Sequence, residues 1–153
     1  MNTRTDSTPE RSFSNPAQQR VFDLGLLDTG FSVVLQLPTG TGKTWLAEQA
    51  IASVLALGRR AVYLTPLRAL ASELVERWKV RFEDHHVGIF TGDFGKLGNR
   101  YPVSFEDASL LIMTPERLDA CTRNWRSHWR WIPHVDLLIV DEFHLLGDPH
   151  RGA

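Results

Sequence analysis

Residues 32 to 44 read SVVLQLPTGTGKT, and few stretches constrain a fold so strongly. A β-favouring run, Val33 to Leu37, stops at Pro38 and opens into Thr39-Gly40-Thr41-Gly42. Lys43 and Thr44 follow, and an amphipathic segment begins. Strand, glycine loop and helix in that order form a phosphate-binding loop. Gly40 and Gly42 let the backbone curl so that successive N–H groups face phosphate oxygens. Lys43 brings a point charge to the β- and γ-phosphates, and Thr44 brings a hydroxyl for Mg²⁺. The helix N-terminus behind them favours an anion. Leu37 stands where the strict pattern G-x-x-x-x-G-K-[ST] has its first glycine, so on this stretch alone a purely structural turn stays open.

The rest of the chain alternates strand and helix signals. A short helix is expected from Pro16, whose fixed φ suits a first turn, and Gly25, Asp28 and Gly30 end it. From Thr44 the apolar positions keep helical spacing as far as Gly58. Ala61 to Thr65 reads as a second strand, Leu67 to Phe82 as a helix and Val87 to Thr91 as a third strand. Residues 92 to 102 read as loop. Ser109 to Thr114 is a fourth strand, followed by a helix from Pro115. Val135 to Val140 is a fifth, apolar enough to be covered on both faces. This pattern predicts an α/β fold, a parallel sheet flanked by helices. At 153 residues the chain suits one domain with its own core. Residues 1–12 read as a flexible leader without a secretory core, and no apolar run approaches the ~18 residues of a membrane span.

Two strands end in Thr-Pro before a helix, at Thr65-Pro66 and Thr114-Pro115, and a third ends in Thr91-Gly92. In a parallel sheet these ends share the carboxyl edge, where ligands bind. Arg68 and Arg117 sit just inside the two helices. The ends are either good helix starts or grips for nucleic-acid phosphates. Net charge is -1, so no global basic field exists and any polyanion site must be local.

Asp141-Glu142-Phe143-His144 follows the last apolar strand. There Asp141 suits the Mg²⁺ of a P-loop ATPase, and Glu142 suits the base that deprotonates the attacking water. The six histidines show no zinc spacing with the single Cys121, which reads as packing and excludes an intrachain disulfide. In Arg123 to Trp131, RNWRSHWRW, tryptophans alternate with arginines. Packed indoles with arginine heads in solvent are the expectation, and base stacking is the alternative.

With QLPTGTGKT, YLTPLRALASE, TGD, TPERLD and DEFHLLGDPHRGA in this order, the chain resembles superfamily 2 DExH-box helicases. Within these it resembles the Ski-like group and its archaeal-type DNA-repair members. The resemblance covers roughly residues 13–153, and implies the N-terminal RecA-like, ATP-binding domain of a helicase, incomplete at its C-terminus. It implies that Gln18 reads adenine and that Thr39 to Thr44 hold the phosphates. Pro66, Arg68, Thr91, Gly92, Thr114, Pro115 and Arg117 would grip the nucleic-acid backbone. Lys43, Asp141 and Glu142 would be catalytic, Thr44 and Asp141 would serve Mg²⁺, and His144 and Arg151 would couple hydrolysis to strand movement. ATP and Mg²⁺ are the implied cofactors. Single-stranded or partly duplex DNA, or else RNA, is the implied partner, together with a second RecA-like domain. The implied location is cytoplasmic, or nuclear in a eukaryote. No segment matches the Ser-Ala-Thr motif, whose strand by resemblance lies between the P-loop strand and the DExH strand. A gap is therefore expected in the middle of the sheet.

Overall fold

The runs AVYL, VGIF, LLIM and LLIV are short and apolar, and each becomes a strand in the computed structural model. The structure describes residues 15–27, 30–92, 105–123, 126 and 129–144. Outside these lie the expected leader, most of the loop expected over 92–102, Trp125 and Arg151. The chain divides into two compact units, Met1–Ala50 and Ile51–Ala153.

In the first unit, helix α1 (Pro16–Asp23) starts at the expected proline. Asn15 caps it, its Oδ1 accepting the Gln18 N–H at 3.0 Å. Helix α2 (Lys43–Ala56) begins directly after the glycine loop. Phe22 of α1 lies against Trp45 of α2, with ring centroids 5.6 Å apart. No strand forms over Val33–Leu37, contrary to the expectation from its residues. The physical reason is pairing. A strand exists through ladder bonds to a neighbour, and among the described residues this unit contains no second strand. Val34 accordingly remains 88% exposed.

The second unit holds a four-stranded, all-parallel sheet. Its strands are β1 (Ala61–Leu64), β2 (Val87–Phe90), β3 (Leu110–Met113) and β4 (Leu137–Val140), in the order β2-β3-β1-β4. The register aligns Leu64 with Met113 and with Val140, and Phe90 with Met113. Helix α3 (Arg68–Arg81) packs over β2 and β3 and buries Ala71, Leu74, Val75 and Trp78. Val62, Leu64, Leu111 and Met113 belong to a second buried layer with Phe90, Phe105, Cys121 of helix α4 (Pro115–Arg123), Trp129 and Trp131. Both central strands, β1 and β3, are fully buried along their length, as parallel strands between helix layers must be. Trp129 and Trp131 pack as expected, their rings 6.4 Å apart at 85°, and Arg130 is exposed.

Two boundaries depart from expectation. Strand β4 is not covered on both faces: it sits at a sheet edge with Leu138 49% exposed. Its apolar sequence suits a central strand, whereas its position in the described sheet is at the edge. Helix α3 starts at Arg68, capped by Leu67 without a side-chain bond, so Thr65-Pro66 is not its cap and first residue. The Thr65 hydroxyl instead accepts the Leu67 N–H at 3.4 Å, a short detour that carries the chain out of β1 before helix begins. At α4 the expected pattern holds, with Pro115 opening the helix.

Candidate functional site

The phosphate-loop residues lie in the first unit and take up the backbone their types demand. Gly40 has φ 80 and Gly42 φ 79, left-handed values that favour glycine. The Thr41 hydroxyl donates to the Pro38 carbonyl at 2.7 Å and closes the turn. The Thr41 carbonyl receives two amide donors from α1, Asn15 Nδ2 at 2.8 Å and Gln18 Nε2 at 3.1 Å. Gln18, implied to read adenine, is only 1% exposed and ties the loop to the first turn of α1. A Cβ added at Gly42 would displace the Gln18 amide from its place beside the loop, while the left-handed φ is what favours glycine there. Lys43 and Thr44 are the first two residues of α2, where backbone N–H groups lack intrahelical partners. Thr39 leads into the turn and is exposed.

The acidic pair follows β4 in the second unit. The Asp141 N–H donates to the Leu64 carbonyl at 2.9 Å, which extends the ladder with β1 by one bond. The Asp141 carboxylate is held at both oxygens: Oδ2 accepts the Tyr63 hydroxyl at 2.8 Å and Oδ1 accepts the Glu142 N–H at 3.0 Å. Burial, and next the adjacent Asp141 charge, push the Tyr63 phenol well above the ordinary range, so it is a neutral donor. Glu142 has φ 51, a left-handed value for a residue with a side chain. Such backbone costs about 1–3 kcal/mol and clusters at functional positions. His144 Nδ1 lies 3.3 Å from Glu142 Oε2.

The segments read as nucleic-acid grips share this edge. Because every pairing is parallel, Thr91-Gly92, Thr114-Pro115, Thr65-Pro66 and Asp141-Glu142 all leave the sheet on its carboxyl side, in that lateral order. Neighbouring ends are about 4.8 Å apart, one strand spacing. Thr65 and Thr114 are buried, whereas Arg68 is exposed. The Arg117 guanidinium lies 5.8 Å from the centroid of the Phe90 ring, so a residue of α4 is docked on the end of β2.

Mg²⁺ takes hard oxygen ligands, keeps several waters and needs only one or two carboxylates beside substrate phosphates. The Thr44 hydroxyl and the Asp141 carboxylate are of that type. Each Asp141 oxygen accepts one bond and retains a lone pair. Among the described residues no three His, Cys, Asp or Glu side chains converge on one point.

Two residues that bear on the site had no role assigned from sequence. Asn15 was legible as an Asn-Pro helix start, but its second bond, to Thr41, crosses 26 positions. Tyr63 was hidden in an apolar strand, and only the parallel register of β1 with β4 brings it beside Asp141.

A family model described as DEAD/DEAH box helicase matches residues 15–153. Among curated proteins, the chain is 40% identical over 143 residues to activating signal cointegrator 1 complex subunit 3 of Gallus gallus, covering 90% of this chain and 6% of that protein. It is 35% identical over 143 residues to the ATP-dependent DNA helicase Hel308 of Methanocella arvoryzae, covering 90% of this chain and 18% of the relative. The chain thus spans a small part of the length of these relatives. A crystal structure of a hypothetical ATP-dependent RNA helicase from Sulfolobus tokodaii superposes with a TM-score of 0.63 at 25% identity, covering 89% of this chain and 38% of that one.

Proposed function

This chain belongs to the DEAD/DEAH box helicase family, and from that premise we propose that it is the ATP-binding and hydrolysing portion of an ATP-dependent nucleic-acid helicase. The relatives named as DNA helicases favour DNA over RNA as the substrate. The observation that carries the reading is the row of strand ends, where the Asp141-Glu142 pair stands directly beside Thr65-Pro66 and in one line with Thr114-Pro115 and Thr91-Gly92.

Each residue then has one task. The loop N–H groups from Thr39 to Thr44 cradle the phosphates, with Lys43 as the fixed positive charge. Gln18, buried and tied to the Thr41 carbonyl, would have to turn outward to meet the adenine edge. Thr44 and Asp141 serve Mg²⁺, which when bound neutralises charge developing on the β- and γ-phosphates. Glu142 orients the attacking water and accepts its proton, a contribution of about 10²–10⁴-fold. Arg68, Arg117 and the threonine-ended turns hold the nucleic-acid backbone, and His144 and Arg151 link the two events. A second RecA-like domain completes the motor, supplying an arginine worth about 10³–10⁵ in rate in related NTPases. An intracellular setting, cytoplasmic or nuclear, suits this role. Among the described residues no helix is long and apolar enough to cross a membrane.

A second reading is a nucleotide- or nucleic-acid-binding module without turnover. It needs only the glycine loop and the row of strand ends, each within its own unit. One experiment separates the two: ATP hydrolysis by the chain with and without single-stranded DNA or RNA, beside its Glu142→Gln variant. Stimulated turnover that the variant loses, with ATP still bound, supports the motor. Bound nucleotide with no turnover supports the module. Failure of the wild-type chain to bind ATP in a Lys43-dependent way overturns the motor and the nucleotide-binding module, and retained single-strand binding then leaves a nucleic-acid-binding module.

A further inference from the structure

Tyr63 is the third residue of β1, and its ring is 2% exposed. Trp78 of α3, itself wholly buried, meets that ring edge-on at 4.9 Å and 87°. The register pairs Tyr63 with Ile139, so the phenol reaches along the neighbouring strand to Asp141, two residues further on. Its hydroxyl donates to Asp141 Oδ2 at 2.8 Å, while Oδ1 takes the Glu142 N–H at 3.0 Å. A carboxylate held at both oxygens has one orientation, and the lone pairs left over point in fixed directions. A tyrosine that merely needed a partner for a buried hydroxyl would show the same contact, so the two roles must be told apart by what the bond does.

We propose that Tyr63 is a positioning residue for metal-dependent nucleotide binding, its hydroxyl locking the Asp141 carboxylate in the orientation that receives the water shell of Mg²⁺. This rests on the assignment of Asp141 to Mg²⁺. Groups that orient a metal-binding side chain change metal affinity by about 10–100-fold when removed. Trp78 fixes the ring that carries the hydroxyl, so the chain of support runs from helix to strand to carboxylate. Phenylalanine at position 63 keeps the ring and its Trp78 contact and deletes only the bond.

The test is the Mg²⁺ concentration giving half-maximal binding of a fluorescent ADP analogue to the full chain, for wild type, Tyr63→Phe and Asp141→Asn. Thermal unfolding in EDTA without nucleotide runs in parallel. Tyr63→Phe is expected to raise half-saturating Mg²⁺ about 10-fold, with analogue binding recovered at saturating Mg²⁺. Asp141→Asn is expected to shift the Mg²⁺ curve further still. A wild-type Mg²⁺ curve in Tyr63→Phe, whatever its melting point, overturns the proposal and leaves the contact a packing bond. A wild-type curve in Asp141→Asn overturns it differently, by removing Asp141 from the metal. Should Tyr63→Phe fail to fold, Trp78→Phe decides: it keeps the hydroxyl but loosens the ring, and an unchanged Mg²⁺ curve there counts against the positioning role.

Discussion

At the scale of single residues, the glycine loop shows how one position can be determined twice. Gly42 needs a left-handed φ, and its missing side chain makes room for the Gln18 amide. Gly42→Ala should therefore abolish tight ATP binding and destabilise the loop by about 1–3 kcal/mol, measured by nucleotide titration and thermal unfolding. Cys121 is the opposite case, a residue with chemistry it does not use. Burial pushes its thiol up to about 12 from 9.0, against the smaller opposing effect of Arg117. Alkylation at pH 8 should be negligible until the chain unfolds. The sign of its linkage follows: below about pH 9 the thiol is protonated folded or unfolded, and its contribution to stability is fully present. As pH rises from 9 towards 12 the unfolded chain releases the proton first, and stability falls. Both residues were legible as types. Tyr63 was not, because nothing in AVYL says which strand will lie alongside, and the contact with Asp141 spans 78 positions.

At the scale of elements, the strands that formed are those whose partners are present. The runs at 61, 87 and 110 were legible within a residue of their ends and the run at 137 within two, since short apolar stretches bounded by helix starts leave little alternative. Val33–Leu37 has the same composition and stayed irregular, because ladder bonds come from elsewhere in the chain and composition does not encode them. The start of α3 was missed for a related reason: Thr-Pro is a good opening in general, but here the Thr65 hydroxyl turns back on Leu67 and delays the helix. Helix α1 shows a cap with two tasks, since Asn15 holds both its own helix and the Thr41 carbonyl. Asn15→Ala should cost about 0.5–2 kcal/mol through the lost cap. It should also weaken ATP binding, because the loop loses one of its two amide tethers. Calorimetry and nucleotide titration check the two effects separately, and weakened stability with unchanged binding would mean that the Gln18 tether suffices.

For the whole molecule, a net charge of -1 means that the proposed nucleic-acid binding would rest on a few local cations. Arg68, exposed at the carboxyl edge, is the clearest of them. Arg68→Ala should weaken single-strand binding uniformly across sequences and reduce the slope of log affinity against log salt by about 1. An unaltered slope would remove Arg68 from the phosphate contacts. The parallel sheet gives this edge a further property. Strand β1 carries Tyr63 and ends one residue before Thr65-Pro66, so the strand bonded to Asp141 is also the strand that leads into the neighbouring proposed grip. In the proposed motor, a shift of the carboxylate would reach the Thr65-Pro66 turn through one side-chain hydrogen bond and a short run of β1 backbone. If those roles hold, the fuel gauge and the gear tooth would be cut from one bar, and timing between them would be a matter of the stiffness of β1.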